Sequence, residues 1–159
     1  MKYLVLILVL FCSSCISGFS QDRTAEEDNI REVVFRYQFE HNAAHGPATA
    51  EHRIEVFYLS VGEKRGDPTD LFMARFEGHS PVARKVSACS TEKMHVIDKQ
   101  TGQRGLIFRV ESIRWLSDAD VEVHGGYYED GRSASGDIYT VVKKEGKWRV
   151  TKDKMEWIS

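Results

Sequence analysis

Cysteine and proline are scarce in this chain, at three each in 159 residues, and no apolar run approaches the roughly 20 residues that a membrane-spanning helix needs. Two of the cysteines, Cys12 and Cys15, fall in the first twenty residues, which leaves Cys89 alone and excludes an internal disulfide in the rest of the chain. Stability must therefore come from a core, and Cys89 in "KVSACS" reads as a buried strand thiol. An excess of one charge is missing as well. With 22 basic and 24 acidic side chains the net charge is −2, so the sequence offers no basic face of the size that grips a phosphate backbone, and no nucleic acid is expected as a partner. The length and the 42% apolar content suit one domain with a real core.

What is present begins with a leader. Met1-Lys2 precedes the apolar run "YLVLILVLFC" and the small polar stretch "SSCISGFS", the pattern of a secretory signal peptide over residues 1–20, with Gly18 and Ser20 at small-residue positions compatible with cleavage. The expected destination is periplasmic or secreted. The segment "CSSC" resembles a bacterial lipobox, with Cys12 where that pattern prefers leucine, so a membrane enters only if Cys15 is lipidated.

Residues 21–159 then read as a single α+β domain. Thr24 and Glu27 form a capping box, and Ile30, Val33, Val34, Tyr37 and His41 make an apolar stripe beside an i,i+4 pair of Glu32 and Arg36, which predicts a helix. Gly46-Pro47 ends that periodicity. "RIEVFYLSV" reads as a strand buried on both faces, Pro68 to Phe76 as a short helix, and "PVARKVSAC" as a strand. After Met94 the segments "MHVID", "GLIFRVESIRW", "VEVHGGYY", "DIYTVVKK" and "WRVTKD" are separated by turn-forming residues with no room for a crossover helix, so an antiparallel meander is expected, with helices on one face. In "VHGGYYEDGRSASGDIY" the first two glycines predict a bulge or sheet bend, and Asp130-Gly131 to Gly136-Asp137 a hairpin connection.

The helix-then-sheet order and the closing run "DIYTVVKKEGKWRVTKDKMEWIS" resemble the nuclear transport factor two-like superfamily, also called SnoaL-like or cystatin-like, over roughly Thr24 to Ser159; "FRVESIRWLSDADVEVHGGYYED" is similar to exported bacterial members of that group. The resemblance implies a strongly curved antiparallel sheet wrapped as a cone around the first helix, with a pocket at its open end. Members include isomerases, cyclases, dehydratases and proteins that only bind or dimerise, so the fold does not choose a reaction. The aspartate–tyrosine and histidine–aspartate patterns of the enzymes have no assignable counterpart in this chain.

Candidate ligand-binding residues are Tyr37 and His41 at the end of the first helix, Arg109 and Glu111 on the face expected to carry Trp115, and Tyr128, with Tyr127, Trp148 and Trp157 as aromatic wall. His41 and His45 have a metal-ligand spacing that His52 and His124 would have to complete, but Gly46-Pro47 interrupts the helix and no HExxH occurs, so neither metal nor other cofactor is expected. Three functions fit. One is a cone that binds a small apolar or amphipathic molecule without chemistry and forms a homodimer through its outer sheet. The second is an isomerase or hydro-lyase with His41 or Glu111 as base and Tyr37 or Tyr128 as donor. The third is a cystatin-like module that contacts another protein through an exposed apolar patch.

Overall fold

The computed structural model describes residues 16–41 and 54–159, with side chains from residue 23 onward in the first segment. Residues 1–15 of the expected leader, the glycine–proline break, His45 and His52 lie outside the described residues. Helix α1 (Ile16–His41) is followed by β1 (Val56–Val61), the one-turn helix α2 (Asp70–Met73) with a 3₁₀ turn at Ala74–Phe76, β2 (Val82–Lys85), a second 3₁₀ turn at Val86–Ala88, and β3 (Cys89–Glu92). Then come β4 (His95–Asp98), β5 (Gly105–Trp115), β6 (Asp120–Asp130), β7 (Ser133–Lys144) and β8 (Lys147–Ile158). The architecture is α+β, with a six-stranded sheet in the order β2-β1-β5-β6-β7-β8 and a separate β3-β4 hairpin.

The sheet is mixed where an antiparallel one was expected. β5 to β8 form the predicted meander, but β1 runs parallel to both β2 and β5. A parallel neighbour needs a crossover, which α2 and its 3₁₀ extension supply between β1 and β2. β1 is covered on both faces, as its near-continuous apolar run predicts. "MHVID" leaves the meander altogether and pairs with β3, Cys89 opposite Asp98.

Helix α1 starts at Ile16, so Thr24 and Glu27 sit inside it rather than at its cap. Its i,i+4 pair is present, Arg36 to Glu32 at 2.9 Å. The buried face is rotated from the predicted stripe. Ile30, Val34, Phe35, Gln38 and Phe39 are buried, Val33 and Tyr37 half-buried, and His41 exposed. The short helix is capped by Thr69, whose hydroxyl accepts from the Phe72 amide at 3.1 Å. Asp67 instead accepts from the Ser87 amide at 2.8 Å, tying the loop before α2 to the turn after β2.

One face of the sheet packs on α1. Phe39 meets Phe57 and Phe108 at ring-centroid distances of 4.9 and 5.0 Å, and Phe35, Phe72 and Phe76 extend the cluster. The opposite face carries a smaller core in which Val56, Tyr58, Cys89 and Val96 are buried against Val86, Ile107 and Tyr128. The β3-β4 hairpin covers this second face. It is pinned by Asp98, whose fully buried carboxylate accepts from the Tyr58 hydroxyl at 2.6 Å and from Arg84 at 2.8 Å. Four one-residue irregularities interrupt the ladders, at Glu111 in β5, Glu129 in β6, and Thr151 and Glu156 in β8.

Candidate functional site

The bulge at Glu111 decides which residues meet. Arg109 and Trp115 are six apart in one strand and would share a face in a regular ladder. The extra residue between Val110 and Ser112 reverses the alternation, so Trp115 packs with the α1 core while Arg109 points to the hairpin side. The six predicted residues therefore fall in three places.

Trp115 sits at one end of the inner core. Its ring lies 5.7 Å from that of Trp148 and is covered by the Arg23 guanidinium at 4.6 Å, and its indole N–H is buried without a partner. Tyr37 and His41 stack on each other at 4.0 Å near the other end, where the His41 ring Nδ1 lies 2.9 Å from the Tyr37 carbonyl. The Tyr37 ring meets that of Tyr139 edge-on at 5.9 Å. Beneath them lies a polar cluster that the sequence reading missed. Gln38, fully buried, donates from Nε2 to the Arg109 carbonyl at 2.9 Å and lies 3.2 Å from the Tyr139 hydroxyl, while its Oε1 has no partner. Asp137, also buried, accepts from the Ser135 hydroxyl at 2.5 Å. Burial raises the Asp137 carboxyl above the usual carboxylate range, opposed by the Ser135 and Tyr139 hydroxyls and reinforced by the charges of Asp153 and Glu156. Burial likewise raises the Tyr37 phenol, with Asp153 adding to it. Ser135, Asp137 and Tyr139 alternate along β7, the signal that could have found them, but reading Gly136-Asp137 as loop hid it. The turn itself is only Gly131-Arg132.

Arg109 and Tyr128 line a recess of about 260 Å³ on the hairpin side, together with Ser60, Arg65, Val86, Thr91 and Ile107. The register explains the assembly. Ser60 is opposite Arg109 across β1 and β5, and Ile107 is opposite Tyr128 across β5 and β6. The residues beside Arg109 across the next two strands are Gly126 and Gly136. The Arg109 guanidinium donates from Nη2 to the carbonyls of Tyr127 at 3.1 Å and Ser135 at 3.4 Å. A Cβ at Gly126 would strike the Ser135 carbonyl, and its φ of 151° also favours glycine. Gly125 serves the other face, where a Cβ would strike the Arg109 carbonyl and crowd the Gln38 amide. The bulge expected near these glycines lies beside Gly125 but on the opposite strand, at Glu111 of β5.

Glu111 reaches the rim of the recess through Arg65, whose Nε lies 2.9 Å from Oε1. Tyr128 is a wall, its hydroxyl committed to the Met94 carbonyl at 2.9 Å. Ser60 and Arg65 were missed. A lone serine in a strand buried on both faces was the available signal for Ser60, whereas Arg65 comes from a loop that no local pattern places. A second depression, about 370 Å³ between α2 and β2, is larger, but its acids Asp70 and Glu77 are exposed and it holds no unpartnered buried polar atom. Among the described residues no group of three side chains could hold a metal ion, and no helix is long and apolar enough to cross a membrane. No family model matches this chain, and neither does any curated protein or solved structure.

Proposed function

We propose that this chain is an exported small-molecule-binding domain of nuclear transport factor two-like organisation, with its ligand in the recess between the β3-β4 hairpin and the sheet. The observation that carries this reading is that Ser60 and Arg109, which line the same recess, each keep a buried polar atom without a partner, Oγ and Nε. Each such atom costs on the order of 1–3 kcal/mol. Apolar walls with a few convergent polar groups are also the general make-up of a ligand site. The family reading draws support from the leading helix packed on the sheet and from four strand irregularities of the kind that bend a sheet. The recess lies on the face away from α1, not inside the cone that the resemblance implies.

Native mass spectrometry of the full chain, purified from its own cell envelope without refolding, tests the reading. A discrete added mass that is lost when the exposed rim residue is enlarged, Thr91→Trp, is the expected result. An added mass that survives Thr91→Trp places the ligand elsewhere, and a clean apo mass in both proteins counts against a retained ligand.

One observation favours a second reading, a pocket enzyme of isomerase or hydro-lyase type. Asp137 is a buried acid, hydrogen-bonded to Ser135 and Tyr139, on the face that also carries Tyr37. Burial raises this carboxyl, the direction in which a carboxyl gains use as a general acid or base. Exchange of an α-proton of a ketone substrate with solvent deuterium, abolished by Asp137→Asn and untouched by Thr91→Trp, would establish it over the first.

A further inference from the structure

Resting on the recess as the binding site, we infer that its ligand is a small monocarboxylate, with the charged head between Arg109 and Arg65 and a short apolar body against Val86, Ile107 and the Tyr128 ring. Arg109 is 8% exposed, and among the described residues no carboxylate forms an ion pair with it. Its Nη2 is spent on two backbone carbonyls and its Nε is sealed without a partner. Among the described residues Nη1 has no hydrogen bond, and it is not sealed from solvent. A buried guanidinium without a contacting anion is costly, and burial followed by the nearby Arg65 charge lowers its hold on its proton, with Glu111 partly opposing them. A ligand anion at Nη1 would relieve that imbalance through a charge-assisted hydrogen bond.

Arg65 is the movable half of the site. It stands in the loop after β1 with φ at 54°, its side chain is 58% exposed, and its partner is Glu111 at 2.9 Å. Exposed pairs of this kind hold weakly, so a ligand anion can draw the guanidinium from Glu111. Glu111 already shows the chemistry that Arg65 accepts, a carboxylate oxygen on Nε. Charge fixes the valence. Two guanidiniums and one carboxylate leave a single positive charge, which matches a monoanion better than a phosphate dianion. Volume fixes the size, because about 260 Å³ falls below the roughly 300–1,000 Å³ of pockets for drug-sized ligands.

Isothermal titration of the full chain with butyrate, hexanoate and octanoate, with the matching amides, and with inorganic phosphate tests this. One of the acids should bind about tenfold or more tightly than its amide, the difference expected for a hydrogen bond to a charged group. Arg65→Gln, a change at an exposed side chain, should weaken the acid severalfold and leave the amide unchanged. Thr91→Trp should block the acid. Arg109→Met should abolish acid binding in protein whose circular dichroism is that of the wild type; if that variant does not fold, Arg65→Gln decides. Equal binding of acid and amide, both blocked by Thr91→Trp, would overturn the carboxylate inference and leave the recess standing. So would preference for phosphate, or binding of no acid while native mass spectrometry shows an adduct that Thr91→Trp removes. Acid binding indifferent to both Thr91→Trp and Arg65→Gln would overturn the inference and the recess together.

Discussion

Replacing Asp98 with asparagine tests what holds the hairpin over the recess. The carboxylate accepts five hydrogen bonds: from Tyr58 at 2.6 Å, Arg84 at 2.8 Å, the amides of Gln100 and Thr101 at 2.9 Å each, and the Thr101 hydroxyl at 3.1 Å. Asparagine keeps the shape and, through Oδ1, the three bonds of the turn. Its Nδ2 then faces two donors, the Tyr58 hydroxyl and the Arg84 guanidinium. A hydrogen bond to a charged group contributes about 1.5–3 kcal/mol, and Tyr58 is fully buried with no water to turn to. Arg84 is a third exposed and can swing into solvent, so its share is discounted to about 0–1 kcal/mol. The expected loss at pH 7 is about 3 kcal/mol, read by urea unfolding followed through tryptophan fluorescence. The Tyr58 bond, against opposing burial and with help from the turn, holds Asp98 well below the usual carboxylate range. A depressed folded-state pKa gives stability that is present above about pH 4 and is lost as pH falls below it. The gap between wild type and Asp98→Asn should therefore narrow toward pH 3. A loss below about 1 kcal/mol at pH 7, or a gap that does not change with pH, would refute the network as the anchor.

Three further outcomes are expected. Gly126→Ala should cost roughly 2 kcal/mol or more, because backbone at Ser135 must move and φ is positive, whereas Gly136→Ala, which meets only the half-exposed Trp157 indole, should cost under about 1 kcal/mol; thermal unfolding of the pair ranks them. Cys89 is 8% exposed and burial pushes its thiol up to about 11, so a thiol-reactive disulfide reagent at pH 8 should label it far more slowly in buffer than in urea. Asp137 has a raised folded-state pKa, so its contribution is full below the ordinary carboxylate pKa of about 4 and is lost as pH rises through the folded value. Asp137→Asn should accordingly gain stability relative to wild type between about pH 4 and pH 7, and a constant difference across that range would contradict the assigned direction.

The meander from β5 to β8 was legible because its period-2 segments and turn residues are local, and α1 because its apolar spacing is. The parallel seat of β1 was not, since nothing in "VFYLSV" states which strands will flank it. The departure of "MHVID" to pair with β3 was hidden for the same reason. Two of the six candidate residues, Arg109 and Tyr128, came together in the recess, with Glu111 at its rim through Arg65. Trp115 was separated from them by one extra residue at Glu111, an event that changes the facing of a whole strand yet leaves no mark in composition. Asp137 was hidden because Gly136 beside it suggests a turn, whereas the turn is only Gly131-Arg132 and Gly136 stands within β7.

The parallel seat of β1 also sets an order of events in folding. Val56 pairs with Gly105, about fifty residues on, so this contact closes a long loop, while each junction of the β5 to β8 meander closes a short one. The meander can zip from its turns before β1 arrives, and during that interval β5 presents a bare edge to solvent and to other chains. Ser60 and the hairpin reach their positions only when β1 docks. The contact that completes the recess is therefore one that closes a long loop, unlike the turns of the meander.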